Sequence, residues 1–374
     1  MSKNGTTPQH YQSPPSPSVK IKGALGANVT FLIVPRFNMS TLMTMIEPMR
    51  IANYLSSKPL YSWNVESFDG VQIKASNGFT LPARPPESRN RRGEIIFVMG
   101  SWGAESYQNP TLFSWIRRQA REGARICSVE MGTFLVARSG IFSGRKVTTH
   151  WSYGPGFQEQ FPDIDFVEQI YTIDGTAMSC AGGLAGVDLM LRLIGEAHGE
   201  GLAGEIADQL MHHAVRPATA PQRRTMGHGT DTLIPIVSEA ISLIEQNILE
   251  PLSVPDIAAA LGISQRQLER QFKHAIGCTL VQFGLLLRLQ HARVLLISTD
   301  LSVRDIATAS GFNTLSHFSF SFGKCFGRRA SEYRQAWPER ENAPSWPGTL
   351  SRFLQALQNR GTAKPMQVLR QGRL

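Results

Sequence analysis

Two stretches of this chain are near-copies of each other. "LSVPDIAAALGISQRQLERQFKHAIG" starts at Leu252, and "LSVRDIATASGFNTLSHFSFSFGKCFG" starts at Leu301 with one extra residue in its second turn. A repeat recurring after about fifty residues can build a solenoid, but a solenoid needs more copies than this to bury its faces. Each copy instead reads as a capped helix, a glycine turn and a second helix. In the first, Ser253 caps a helix whose Val254, Ile257, Ala258 and Leu261 share an apolar face. Gly262 permits the turn, and Ser264 caps a second helix with Leu268 and Phe272 facing inward. Gln265, Arg266, Glu269, Arg270 and Lys273 then project outward. An apolar back and a donor-rich front suit a helix that lies in the major groove of DNA. There an arginine can donate two hydrogen bonds to guanine, and a lysine meets a phosphate. In the second copy Ser302 caps, Gly311 turns, and Asn313 or Thr314 opens the next helix, while "RLQHARVLL" belongs to a long helix joining the two units.

The charge distribution points the same way. Residues 1–251 contain 22 Lys+Arg and 22 Asp+Glu, whereas residues 252–374 contain 16 and 7, so the whole net charge of +9 sits in the last third. A neutral domain joined to a basic one is the pattern of a nucleic-acid-binding module with a partner domain. The four cysteines, Cys127, Cys180, Cys278 and Cys325, stand far apart with no CxxC pair, so no metal centre, disulfide framework or cofactor is expected. Cys127 reads as a small core residue. No apolar run long enough to span a bilayer is expected, and "MSKNGTTPQHYQSPPSPSVK" lacks the apolar core of a secretory signal, which predicts a cytoplasmic protein.

The first two-thirds alternate short apolar strands such as "VTFLIVP", "EIIFVMGSWGA" and "RICSVE" with amphipathic helices such as "TLFSWIRRQAREG". That alternation predicts an α/β domain with a parallel sheet covered on both faces. Five segments are expected: a disordered tail at 1–27, the α/β domain at 28–215, a Pro-, Gly- and Arg-rich linker at 216–232, an all-α domain with two helix-turn-helix units at 233–337, and a basic flexible tail at 338–374.

"DIATASGFNTLSHFSFSF" followed by "FGRRASEYR" closely resembles the signature of the DNA-binding domain of the arabinose-regulator (AraC) family, over Leu233 to Trp337. The resemblance implies that Arg266, Glu269 and Arg270 read bases from the first unit and that Asn313, Thr314, Leu315, Ser316 and Ser319 face the groove from the second. The chain departs from that pattern at Phe320 and Gly323, where the family usually has polar or basic residues. Phe320 can contact thymine methyls or pack, and packing is the expectation. "FVMGSWGAES", the turn at Glu130 and "GRKVTTHW" resemble the class I glutamine amidotransferase-like superfamily in its PfpI-type branch, with a flavodoxin-like sandwich over residues 28–215. The resemblance puts Glu130 at the nucleophile elbow, where a cysteine is usual, and His150 at the partner histidine, with an oxyanion hole near Gly100 and Ser101.

A carboxylate is a poor nucleophile for amide hydrolysis, so no catalytic residue is expected. Glu130 is expected to bind a ligand, paired with His150 at the mouth of a cleft; the alternative is that Glu130 caps a helix and His150 is a satisfied structural histidine. Gly100, Ser101, Trp102, Met131, His150 and Trp151 join it as candidate ligand-binding residues. A carboxylate beside aromatic faces suits a cationic amine or quaternary ammonium ligand. The combined resemblance implies a homodimeric transcriptional regulator, most often an activator, that meets promoter DNA, RNA polymerase and a small effector. An active amidase carrying a DNA-binding module and a ligand-independent architectural protein are the alternatives.

Overall fold

A computed structural model describes residues 28–57, 59–222 and 235–336, with the side chains of 335 and 336 left out. The expected tails and linker residues 223–232 lie outside the described residues. The strands are β1 (Asn28–Ile33), β2 (Ser62–Glu66), β3 (Gln72–Lys74), β4 (Thr80–Pro82), β5 (Ile95–Gly100), β6 (Arg125–Glu130), β7 (Lys146–Val147), β8 (Asp165–Phe166), β9 (Tyr171–Asp174) and β10 (Ala177–Cys180). Six of them form one sheet in the order β2-β1-β5-β6-β10-β9. Its pairings are parallel except between β10 and the edge strand β9, which are antiparallel.

Every residue of β5 and β6 is buried, as expected of central strands covered on both faces. The period-2 alternation divides them between two cores. Phe31, Phe97, Cys127 and Val129 face helices α1 (Met39–Leu55), α5 (Ala185–His198) and α6 (Glu200–Gln209). Leu32, Ile96, Val98 and Ile126 face α2 (Pro110–Arg121), α3 (Gly132–Arg138) and α4 (Gly154–Gln160). Cys127 is fully buried in the first core, and burial raises its thiol well above the ordinary range, in keeping with a packing residue.

Residues 216–222, expected as linker, instead run along this domain. Arg216 pairs with the buried Asp188 at 2.6 Å, and the Ala218 carbonyl accepts from the Ile170 amide at 3.2 Å. Composition registers the proline and polarity of these residues but not the buried aspartate with which Arg216 pairs.

The carboxy-terminal part is all helix: α7 (Pro235–Gln246), α8 (Val254–Ala260), α9 (Gln265–Ile276), α10 (Leu280–Ser298), α11 (Val303–Ala309), α12 (Leu315–Phe326) and α13 (Ala330–Ala336). The caps follow the sequence: Ser253 and Asp256 form a capping box on α8, Ser264 caps α9, Ser302 caps α11 and Thr314 caps α12. The turn glycine of the second unit, Gly311, has φ of 72°, and a Cβ there would lie 2.4 Å from the Ile248 carbonyl oxygen. Glycine is therefore required at this turn on two counts. Helix α10 is, by length and composition alone, apolar enough to cross a membrane, contrary to the expectation, but most of it is buried inside the protein. Its apolar residues serve as the spine between the two units.

The second core does not end with the sheet. It continues from Phe134 and Phe157 into Leu295, Leu296, Ile306, Phe318 and Phe322 of the helical part. At the junction Gly156 of α4 lies so close to α10 that a Cβ would come 1.8 Å from Ser298 Oγ, and the Gln160 amide donates to the Ser298 carbonyl.

Candidate functional site

Strand β6 ends in a sharp corner at Glu130, whose φ of 56° is in the left-handed region that non-glycine residues seldom occupy. Helix α3 starts two residues later, directly beneath β5. A Cβ on Gly132 would lie 2.0 Å from the Val98 carbonyl oxygen, so only glycine allows the helix to pass there. The corner is held from outside by hydroxyls: Thr133 and Thr149 donate to the Glu130 carbonyl at 3.0 and 2.8 Å. Backbone strain of this kind persists only where the surroundings hold it.

The Glu130 side chain is buried and lies among hydroxyl groups. Ser101 Oγ donates to one carboxylate oxygen at 3.0 Å and Thr41 Oγ1 approaches the other at 3.4 Å. Burial pushes its pKa up to about 7, against the opposing pull of hydrogen bonds from Ser101, Asn38 and Thr41. Among the described residues, no basic side chain enters this balance. Helix α3 begins with no side-chain cap, so Glu130 is not a capping residue. Gly182, from the "CAGG" segment, closes the corner: a Cβ on it would stand 3.0 Å from Glu130 Cβ.

The other candidate ligand residues divide into three groups. Gly100 stands opposite Glu130 in the sheet register, and its carbonyl accepts from the Met131 amide at 3.0 Å, so Gly100 and Ser101 share the corner. Trp102 is half-buried against the second core, and Met131 is fully buried within it. The expected Glu130–His150 couple is not formed. His150 instead caps a short 3-10 turn (Trp151–Tyr153): its Nδ1 accepts from the Ser152 amide at 3.3 Å and lies 2.7 Å from Ser152 Oγ. Burial lowers its pKa to about 4, so the imidazole is neutral at pH 7. Trp151, half-exposed, faces a cleft of about 340 Å³ between this turn and α10, lined also by Leu287, Gln290 and His291.

Three contributors escaped the sequence reading. Asn38 and Thr41 open α1, and only the run "NMST" of cap-forming residues hinted at them. Gln222 carried no signal, yet its amide Nε2 donates to Thr148 Oγ1 and to the carbonyls of Thr149 and Gln169, while its Oε1 accepts from the Trp151 amide at 2.7 Å. It fastens the end of the domain to the segment that carries His150.

At the other end of the molecule, Gln265, Arg266, Glu269, Arg270 and Lys273 are all exposed along α9, with Leu268 and Phe272 fully buried behind them. Gln265 donates to Glu269 at 3.0 Å. Asn313, Thr314, Leu315, Ser316 and Ser319 are likewise exposed at and along α12, although the Thr314 hydroxyl is engaged in accepting from the His317 amide at 3.2 Å. Phe320 does not pack as expected: it is 68% exposed. The buried positions of α12 are already filled by Phe318, Ser321 and Phe322, which leaves no inward room for a third ring.

Residues 257–336 match the helix-turn-helix domain model, and residues 46–196 match the DJ-1/PfpI family model. The HTH-type transcriptional regulator CdhR of Pseudomonas aeruginosa is 33% identical over 85% of this chain and 94% of its own length. The chain belongs to the AraC/PfpI family of transcriptional regulators. A second member, the HTH-type transcriptional regulator GbdR of the same species, is 31% identical over 86% of this chain and 88% of its own length. A crystal structure of an AraC family transcriptional regulator from Pseudomonas putida is 20% identical, covers 49% of this chain and 98% of its own, and has a TM-score of 0.45. As in the AraC/PfpI regulators it resembles, this protein joins a DNA-binding helical part to a PfpI-like α/β domain.

Proposed function

We propose that the PfpI-like domain is a catalytically inactive sensor for a small cationic metabolite, and that the bound metabolite controls how the helical domain acts at a promoter. The observation that carries this reading is Glu130: a carboxylate at the elbow, buried, with no basic side chain in its charge balance among the described residues. A ligand ammonium group would supply that partner, and charge-assisted hydrogen bonds of this kind are among the stronger ones available. Hydrolysis has no support at this corner, because the elbow carries no thiol and His150 is occupied as a cap. Cys180, the other cysteine of the sheet, is fully buried, with its pKa pushed up to about 12.

A route for the signal accompanies the site. The Glu130 carbonyl is held by Thr149, Thr149 is held by Gln222, and the following turn and α4 rest on α10 of the DNA-binding domain. A ligand that favours one position of residues 148–156 would thus favour one placement of α10, which is the differential contact that allosteric control requires. In this reading Gln265, Arg266, Glu269, Arg270 and Lys273 meet one half of the promoter site and Asn313, Thr314, Leu315, Ser316 and Ser319 the other. The protein works in the cytoplasm as a homodimer that activates transcription through RNA polymerase.

The test is a calorimetric screen of the full chain against small amines, amino acids and quaternary ammonium compounds. A hit should bind the parent and lose roughly tenfold or more in affinity in Glu130→Gln, the scale of a charge-assisted contact of about 1.5 to 3 kcal/mol. A ligand that alters promoter binding yet binds Glu130→Gln as tightly as the parent would place the sensor site elsewhere.

A further inference from the structure

We propose that Phe320 reads a thymine methyl group in the promoter, so that the two helix-turn-helix units recognise DNA by different chemistry. The proposal rests on the reading that α12 enters the major groove. The other phenylalanines of this unit pack against one another in edge-on and tilted pairs: Phe312 with Phe318 at 5.2 Å, Phe318 with Phe322 at 5.4 Å, and Phe322 with Phe326 at 4.5 Å between ring centroids. Phe320 lies outside this cluster and is exposed, with the Lys324 ammonium group 5.6 Å from its ring centroid.

Its surroundings on the helix sharpen the point. Ser316, Ser319 and Gly323 lie one turn before, beside and one turn after it, and none has the bulk to shield the ring or to keep the helix from close approach. A solitary exposed aromatic on an ordinary surface calls for no explanation. Here it stands at the centre of the face that the matching helix α9 fills with Arg266, Glu269 and Arg270.

In the major groove the C5 methyl of thymine is the apolar feature on the base edges, and cytosine lacks it. A ring that projects from the helix between Ser316, Ser319 and Gly323 can cover that methyl, while Lys324 beside it is placed for a phosphate. The first unit, with two arginines, is then suited to guanine, and the second to thymine. A promoter site for this protein would combine a half rich in hydrogen-bond readout with a half read largely by apolar contact.

The experiment begins with sites selected from random duplexes by the full chain, followed by replacement of each thymine of the second half-site by deoxyuridine, which removes only the methyl. At fixed salt, the parent should lose about three- to fourfold in affinity at one or two positions, the value of one buried methyl-sized group. Phe320→Ala should lose a similar amount on the thymine duplex and be indifferent to deoxyuridine, with an unchanged melting temperature because the ring is exposed. An iron–EDTA probe tethered at Ser316→Cys, compared with the parent chain treated identically, reports whether α12 lies in the groove. Absence of cleavage in the second half-site refutes the groove placement itself. Cleavage together with no deoxyuridine effect, or with the same effect in Phe320→Ala, overturns the role of Phe320 alone. Phe320→Ala that binds DNA like the parent but fails to activate transcription also overturns it, in favour of a protein partner for the ring.

Discussion

Replacing Glu130 by glutamine removes a charge while keeping the shape, and the geometry of the corner fixes both the sign and the pH dependence of the result. Burial lifts the carboxyl from its ordinary value of 4.5 to about 7. Between those two values the folded protein holds the proton that the unfolded chain has already released. The parent therefore bears no charging cost below pH 4.5, loses stability steadily as the pH rises, and carries the full cost above about pH 7. At about 1.4 kcal/mol per tenfold change, this cost has an upper limit of about 3.5 kcal/mol. Glutamine stays neutral throughout and can still accept from Ser101. Glu130→Gln is thus expected to match the parent near pH 4.5 and to exceed it by about 2 to 3 kcal/mol at pH 8. Urea unfolding followed by circular dichroism at several pH values between these limits measures the gap directly. A stability difference that does not change with pH would refute the argument, because a carboxyl that is already ionised and well solvated in the folded state has no such dependence.

The remaining expectations concern the DNA-binding domain and its junction. Arg270→Ala should cost about 1 to 3 kcal/mol on a selected promoter site and relax discrimination, whereas Lys273→Ala should weaken all duplexes about equally; equal losses on specific and random DNA for Arg270→Ala would show that α9 is not the reading helix. Gly311→Ala and Gly262→Ala distinguish two sources of strain at matching turns. Both glycines have left-handed φ, 72° and 66°, but of the two only Gly311 faces a carbonyl oxygen, so its variant should be destabilised by clearly more than the roughly 1 kcal/mol expected of Gly262→Ala, as measured by urea unfolding. Gly156→Val should part α4 from α10 without unfolding either domain, seen as an increased radius of gyration in small-angle scattering; an unchanged radius would mean that the junction yields instead of opening.

Much of this architecture is legible in the amino-acid order because it is set by local rules. The serine caps, the glycine turns and the apolar faces of α8 and α9 depend on neighbours within a few residues, and the period-2 strands β5 and β6 declare burial on both faces. What stayed hidden depends on distant partners. Strand β9 is only four residues long and has no decisive pattern, although Asp174-Gly175 was a hairpin signal available to be read. The corner itself was visible at Glu130, whereas the close approach of Gly182 to it depends on the folded sheet. Its hydroxyl partners Asn38 and Thr41 come from a helix some ninety positions away. His150 was placed beside Glu130 by resemblance, but a serine two residues on captured its ring. Phe320 was expected to be inside because phenylalanine usually is, and the three inward positions of α12 were already filled.

The continuous core beneath α4 and α10 has a consequence for how such proteins can be rearranged. A chimaera made by cutting within the linker and grafting a foreign sensor onto this helical domain would separate Phe157 and Gly156 from Leu295 and Ser298, leaving apolar surface open on both pieces. The unit of exchange is then larger than the sensor: a working graft has to bring the donor's α10 surface with it, or rebuild that surface residue by residue. Inheritance of new inducer responses within this architecture is constrained at the seam between the folds as much as at the pocket.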